Sequence, residues 1–455
     1  MKTVMDLKKV FSCTLVILIL SLSLNASGCS VKIKENDSQL RFYCLKDGAT
    51  THIGGYDPLK DIIRKYNAKC DQNGLTEDKI KLVEFDSERQ LSEKMSTEIM
   101  AGKGPDILTS RFSLPFEKLR GSGALADIYE LSESSDIGLN NCNSNILKYG
   151  ISNGKLYVIP LYYSPDVFVT TEETLAKYGL TSKSFSFVDL AKILKNNHMT
   201  YSLLGAKDLN TNLFYSFLSC YVNFESGTTA FDSDEFYDTL DYLVELILND
   251  ETDPNTYYFL QENIKSGKSI LYKEFPSVYQ VFRTYCLLSY LEATPALVYN
   301  YNRTNHTCPA SVDVSVGINN NSRHKDKALK FIKYCLSDEN QISVSTENGL
   351  LPINNNALTE LIEQTNEEID FDDDGTISES EKTVFHKARN AAIKDYSKAI
   401  NSIDRCTCQS FYYLSESYYN SSVIGSIVNK YLNGEISKEK FIRQLTSATE
   451  IYLTE

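Results

Sequence analysis

Ala101-Gly102-Lys103-Gly104-Pro105-Asp106-Ile107-Leu108 is the stretch on which the fold turns. Glycine permits a sharp turn and proline fixes φ, so Gly104 and Pro105 set the backbone just before Asp106 and launch a strand at Ile107 and Leu108. That strand opens into a loop, Thr109 to Arg111, at the carboxyl edge of its sheet, where ligands sit in open α/β folds. Upstream lie the strand LRFYCL from Leu40, a helix after Asp57 with Leu59, Ile62, Ile63 and Tyr66 on one face, the strand IKLVEF, and a second helix from Ser87 to Met100. Downstream the alternation resumes after Gly154 with KLYVIPL and DVFVTT, and again with ASVDVSVGIN leading into a helix from Lys325 to Leu336. The last hundred residues are mostly helical in pattern. Such β-α-β alternation predicts an α/β fold with a parallel sheet covered by helices. Tyr162, Tyr163 and Ser164 stand between Pro160 and Pro165, a bracketing that suits a stiff extended segment.

A chain of 455 residues, 42% hydrophobic and 23% charged, is long enough for two or three domains with a sizeable core. Its 46 Lys and Arg against 60 Asp and Glu give a formal charge of −14, with no long basic cluster. The phosphate neutralisation that drives nucleic-acid binding therefore has no source, and no nucleic-acid partner is expected. With no Trp and 30 Tyr, an aromatic ligand platform must be built from Tyr or Phe.

The first 28 residues carry Lys2, Lys8 and Lys9 before an apolar run from Val10 to Leu24, which is the layout of a signal peptide. That run is shorter than the roughly 20 residues a bilayer-spanning helix needs. Ala26, Ser27 and Gly28 leading to Cys29 resemble the lipobox of bacterial lipoproteins. The resemblance implies cleavage before Cys29 and a diacylglycerol (palmitate-type) anchor on its thiol; the alternative is an ordinary secretory peptide with a chance Cys. Residues 29–39 follow as a polar tether. The nine later cysteines, Cys44, Cys70, Cys142, Cys220, Cys286, Cys308, Cys335, Cys406 and Cys408, are odd in number and show no paired spacing, so no disulfide framework is expected. Most sit among apolar residues, as small core residues do.

The GKGPDIL stretch is followed, in order, by NGKLYVIP at Asn153 to Pro160, SVGINNNSRHKDKALKFIKYCLSDENQ at Ser315 to Gln341, GLLPINNNAL from Gly349, and YLNGEISKEKFIRQL near the C-terminus. Together these resemble family 1 of the extracellular solute-binding proteins of ABC importers, which includes maltose-binding proteins. The resemblance implies a two-lobed periplasmic-binding-protein fold of type II, with a hinge of three crossing segments and a ligand cleft between the lobes. Lobe one would hold residues 38–160 and 300–350, and lobe two residues 165–295 and 352–455. Such lobes swing as rigid bodies and bury a solute between them.

Asp370-Phe371-Asp372-Asp373-Asp374-Gly375-Thr376-Ile377-Ser378-Glu379-Ser380-Glu381, in lobe two, fits the twelve-residue EF-hand calcium loop. Asp370, Asp372 and Asp374 supply hard oxygen ligands, Gly375 permits the turn, Thr376 offers a carbonyl, Ser378 stands at position nine, and Glu381 can bind bidentately. Helix-like sequence flanks the loop on both sides, and a single loop suits a structural calcium ion. The alternative is a solvated acidic turn that caps the following helix.

By the resemblance, ligand contacts fall on Asp47 after the first strand, Arg111 after the Gly-Pro-Asp turn, Tyr162 or Tyr163 at the crossing, Phe214 and Phe275 in lobe two, and Tyr412 or Tyr413. Asp47 and Arg111 would hydrogen-bond hydroxyls and the aromatic faces would stack on sugar rings. The five His residues, at 52, 198, 306, 324 and 386, form no HExxH pair, and neither a GxSxG elbow nor a GxxxxGK[ST] loop is present. No enzyme is expected. The function implied is a monomeric, lipid-anchored receptor on the extracytoplasmic face of a bacterial cell membrane, delivering a small solute, a sugar or oligosaccharide, to an ABC permease. The alternatives are a solute-sensing receptor of the same fold or a secreted lipoprotein hydrolase.

Overall fold

Leu40–Leu45 (β1), Ile80–Phe85 (β2) and Ile107–Leu108 (β3) are parallel strands, with β1 between the other two. The computed structural model describes residues 39–47, 57–109, 119, 122–180, 192, 193, 196, 217, 218, 221–223, 226–248, 265, 270–273, 278–299, 307–365, 369, 371, 375–404 and 423–454. The leader, Cys29 and residues 30–38 of the tether lie outside these residues. Among the described residues no helix is long and apolar enough to cross a membrane.

The first helix, Pro58–Gln72 (α1), starts where its sequence says it should. The Asp57 side chain accepts from Leu59 N–H, and Pro58 occupies the first turn, where a missing N–H costs nothing. Leu59, Ile62, Ile63, Tyr66 and Cys70 form its buried stripe, as the 3.6-residue period predicts. Glu88–Met100 (α2) follows with Ser87 as its cap. Both helices serve the β2-β1-β3 order, which reverses at β1 and leaves the carboxyl ends of all three strands along one edge.

Two long antiparallel strands complete the six-stranded sheet. Val158–Pro165 (β4) pairs with Ala310–Ile318 (β8), β8 pairs with β3, and Leu351–Pro352 (β9) closes the far edge on β4. β8 meets β3 only at Gly317 and Ile318, yet its pairing with β4 runs on to Ala310 opposite Pro165. The β4–β8 pair, edged by β9 at Tyr162 and Tyr163, therefore projects as a ribbon past the carboxyl edge of the parallel strands. The register slips on both sides of Val314, so the ribbon is bulged at Asp313, a feature that bends and twists a strand.

Beyond the ribbon the chain enters a second, three-stranded antiparallel sheet of Val167–Thr171 (β5), Tyr272–Lys273 (β6) and Pro295–Tyr299 (β7), ordered β6-β5-β7. Side chains alternate across a strand. Val167, Val169, Leu297 and Tyr299 join one hydrophobic cluster with Val278–Tyr290 (α3) and Glu379–Asn401 (α6), while Phe168, Ala296 and Val298 join another with Val423–Leu432 (α7) and Lys438–Thr454 (α8). Both faces are covered, which is why VFVTT lacks the polar alternation of a half-exposed strand.

Lys325–Cys335 (α4) buries Ala328, Leu329, Phe331, Ile332 and Cys335, and Asp338–Asn348 (α5) ends at Gly349 with φ +68°. The left-handed cap turns the chain into β9, after which Asn354 caps helix Asn355–Gln364 by accepting from Asn356 and Ala357 N–H. This helix packs against α5 and β9, on the side of the six-stranded sheet. Six of the cysteines, Cys44, Cys70, Cys142, Cys286, Cys308 and Cys335, are free and buried. Burial pushes the thiols of Cys44, Cys142 and Cys286 up to about 12, so they stay protonated core groups.

Asp106 joins three strands at the amino edge. Its Oδ2 accepts from Arg41 N–H (2.7 Å), its Oδ1 accepts from the Ser322 hydroxyl (2.6 Å), and its carbonyl accepts from Asn319 N–H (2.9 Å). The Asp106→Ala variant should lose about 1–3 kcal/mol, because it leaves a partly buried N–H and a hydroxyl without their acceptor. Urea unfolding checks this; a variant of unchanged midpoint would refute the role.

Candidate functional site

The site is built at the carboxyl edge of β1, β2 and β3, next to the projecting β4–β8 ribbon. Strand β1 ends in Lys46 and Asp47, β2 in Asp86, and β3 in the buried Thr109. Helix α1 returns over this edge and brings Lys60 in its first turn. A cation near a helix N-terminus opposes the helix dipole, so it needs local compensation. Lys60 finds three acceptors: its Nζ donates to the Leu45 carbonyl (2.8 Å), Asp47 Oδ1 (2.9 Å) and Glu84 Oε1 (2.5 Å). Arg64, one helical turn on, donates to Asp47 Oδ2 at 2.7 Å and to Asp61 Oδ1 at 3.0 Å.

The Lys60 side chain is only 4% exposed, whereas Asp47 is 71% exposed. Hydrogen bonds from Lys60 and then Arg64 hold the Asp47 carboxyl below its ordinary value. Burial alone would depress the Lys60 ammonium, but its bonds to Glu84 and Asp47 outweigh that and raise its pKa. Asp47 therefore stands at the sheet edge, as the sequence reading expects, as a fixed anion with both oxygens already engaged. Lys60, Arg64 and Glu84 were not anticipated. The available signal was the spacing from the Asp57 cap, which puts residue 60 in the turn facing the end of β1 and residue 64 on the same helix face.

On the ribbon, the Ser164 hydroxyl donates to Asp313 Oδ2, so the residue at the bulge is tied to the facing strand. Asp166 N–H donates to the Pro309 carbonyl at 2.7 Å as the chain passes into β5. Tyr162 and Tyr163, expected to present ring faces to a solute, correct that reading: both are 0% exposed. Tyr162 sends its hydroxyl toward the Asn340 carbonyl (3.5 Å), and Tyr163 packs in the core cluster that also holds Tyr396 of α6. With neighbours β8 and β9 and helices on both faces, β4 turns both side-chain directions inward. Arg111, Phe214, Phe275, Tyr412 and Tyr413 lie outside the described residues.

The calcium residues are divided in the same way. Asp370, Asp372 and Asp374 lie outside the described residues, while Thr376, Ser378 and Glu381 are within them. Ser378 caps α6 and Glu381 returns the bond in a capping box. Among the described residues there is no group of three or more His, Cys, Asp or Glu that could hold a metal.

The Lys60→Met variant should lose ~2 kcal/mol of stability, since a charge-assisted cluster loses its centre. The Asp47 titration, followed by NMR, should move up toward the ordinary value near 3.9. The sign follows from the depressed folded pKa: the Asp47 contribution is complete above that ordinary value and disappears as pH falls through the lower folded one. A depressed Asp47 titration that survives in the variant would count against Lys60 as its main partner.

No curated protein matches the chain in sequence. Solved structures do match in fold. A chitin oligosaccharide binding protein superposes with a TM-score of 0.54 at 15% identity, covering 92% of this chain and 99% of the other. The family 1 extracellular solute-binding protein of Alicyclobacillus acidocaldarius gives 0.52 at 16% identity, covering 92% and 98%. An ABC substrate-binding protein of Listeria monocytogenes, in complex with cycloalternan, gives 0.51 at 14% identity, covering 91% and 98%. The fold is thus the two-lobed α/β fold of periplasmic solute-binding proteins. The sequence profile described as bacterial extracellular solute-binding protein matches residues 61–370. With that match over well more than half of its length, the chain belongs to the bacterial extracellular solute-binding proteins.

Proposed function

We propose that this protein is a lipid-anchored extracytoplasmic receptor that captures a saccharide and delivers it to an ABC permease. The observation that carries the reading is the placement of the β4–β8 ribbon. It leaves the six-stranded sheet at the carboxyl edge of the parallel strands, the edge where α/β sheets hold ligands, and leads straight into the second sheet. In this reading the two strands of the ribbon carry two of three crossings, out from β4 into β5 and back from β7 into β8, and a third follows once the six-stranded sheet is complete. Rotation about such crossings opens and closes a cleft without unfolding either sheet.

Saccharide is supported by the ligands named for proteins of the same fold, which include chitin oligosaccharide, cycloalternan and alpha-D-tagatose. Asp47, oriented by Lys60 and Arg64, and Arg111 would meet hydroxyl groups. Phe214, Phe275 and Tyr412 or Tyr413 would supply apolar faces, in a chain that has no Trp. Tyr162 and Tyr163 belong to the core. ATP hydrolysis falls to the partner, and the Cys29 lipid would hold the receptor beside it.

Two measurements test this. In a thermal-shift screen of the mature domain against sugars, polyols and peptides, a saccharide at 100 times its Kd should stabilise the fold by about 2.7 kcal/mol and reduce the radius of gyration in small-angle scattering. Melting shifted by a peptide and by no saccharide, or chemical turnover of a screened compound, would sink the assignment. In the native host, Cys29→Ser should abolish labelling by a palmitate analogue and release the protein from the membrane; retained labelling would rule out Cys29 as the anchor.

A further inference from the structure

We infer that Asn153 is a site of spontaneous modification: the folded chain converts it to isoaspartate, and the new linkage loosens the hairpin from which β4 departs. The sequence holds four Asn-Gly pairs, at 73–74, 153–154, 348–349 and 433–434. Each is open to the same reaction in an unfolded chain, because glycine carries no Cβ to shield its nitrogen. The glycine nitrogen, having lost its proton, attacks the asparagine side-chain carbonyl carbon, and the N–Cγ bond forms as ammonia leaves. Water then opens the resulting succinimide ring. Entry at Cγ gives aspartate; entry at the main-chain carbonyl breaks the original peptide bond and routes the chain through the side chain, as isoaspartate. The sum is asparagine plus water giving isoaspartate plus ammonia, with no oxidant or cofactor.

The fold shields three of the four pairs. Asn73, Asn348 and Asn433 stand at the carboxyl ends of α1, α5 and α7, where a helix carbonyl holds the glycine N–H. Gly74 donates to Asp71 (3.2 Å), Gly349 to Ser345 (2.7 Å) and Gly434 to Tyr431 (2.9 Å). Removing that proton forfeits the bond, and rotating the asparagine backbone into line for attack undoes the end of the helix. The Asn433 side-chain amide is tied as well, donating to Glu435 Oε1 at 3.4 Å.

Asn153-Gly154 differs in each respect. It is the turn of a hairpin whose arms, Ile151–Ser152 and Lys155–Leu156, pair as strands only with one another. Among the described residues no acceptor takes the Gly154 N–H, and no partner engages the Asn153 side chain. Both residues are exposed, and a Cβ built at Gly154 would meet nothing within 4 Å, so water has free access to the turn. A two-stranded hairpin on its own is marginal in water, and the local opening that lets Asn153 rotate therefore costs little.

The product does not fit the turn it came from. Asn153 and Gly154 both stand at positive φ, +51° and +75°, as a two-residue turn of this kind requires, and Ser152 faces Lys155 directly. An isoaspartate adds one carbon to the main chain between those partners. The neighbouring chain has no slack to absorb it: Leu156 N–H is bound to Asp127 Oδ1 (3.2 Å), Tyr157 N–H to the Gly150 carbonyl (3.0 Å), and Gly150 already lies against β4.

The test ages the full chain, folded, in mildly alkaline buffer beside a second sample in urea. Peptide mapping by mass spectrometry reads a gain of about 1 Da at each converted asparagine, and labelling by an isoaspartyl methyltransferase counts the isoaspartate. In the folded sample the product should collect at Asn153, ahead of the other three pairs together; in urea all four should convert at similar rates. Conversion at Asn153 should quicken as pH rises, since the nucleophile is the deprotonated amide. Asn153→Gly tolerates the positive φ and lacks the reacting group, so its melting temperature should survive ageing, while that of the wild type falls by about 1–2 °C. A folded chain that converts first at another pair, or that keeps Asn153 intact while the urea sample loses it, overturns the site. Equal melting of fresh and converted wild type overturns the loosening of the hairpin.

Discussion

One buried carboxylate organises the sheet. Asp106 sits where three chain segments far apart in sequence converge: the start of β1, the approach to β3 and the exit from β8. Its side chain accepts the Arg41 amide and the Ser322 hydroxyl, and its own amide donates to the Arg41 carbonyl. The neighbouring Asn319 amide group spans the turn by donating to the carbonyls of Lys103 and Pro105. A carboxylate is suited to this because it accepts several bonds without donating any, and hydrogen bonds to an ion are stronger than those between neutral groups. These bonds lie at the amino edge. The parallel strands are joined firmly there, and their carboxyl ends are left to the loops that form the site.

A similar close approach fixes the start of the ribbon. A Cβ on Gly150 would stand 1.6 Å from the Val158 carbonyl oxygen, so only glycine allows the chain to pass under β4. The Gly150 carbonyl accepts from Tyr157 N–H, and the Asn153-Gly154 turn, with both residues at positive φ, closes the small hairpin between them. β4 thus leaves the hairpin already aimed across the sheet toward β5. The same ribbon is held at its far end by Ser164 on Asp313 and by Ser402 on Cys308.

Electrostatics at the carboxyl edge follow a different logic from those at Asp106. The Lys60 stem is buried while its partners Asp47 and Glu84 remain in contact with water, at 71% and 39% exposure. Exposed ion pairs contribute little each, but here one desolvated ammonium fixes two carboxylates and a strand-terminal carbonyl at once. The result is a corner at the end of β1 in which the Asp47 and Glu84 carboxylates are held by Lys60 and Arg64.

Much of this was legible in the sequence. Strand and helix order, the Asp57 and Ser87 caps, the α1 and α4 stripes, the turn at Gly104-Pro105 and the family all follow from local chemistry, because turns, caps and periodic burial are decided by residues a few positions apart. The alternation that marks a strand does not say how many of its faces are covered, and so the direction of Tyr162 and Tyr163 was settled only when β8, β9 and the flanking helices closed around β4. The partners of Lys60, the bulge at Asp313 and the convergence on Asp106 were likewise decided by the tertiary structure. Each depends on groups brought together across tens to hundreds of residues, and no local periodicity records such distances.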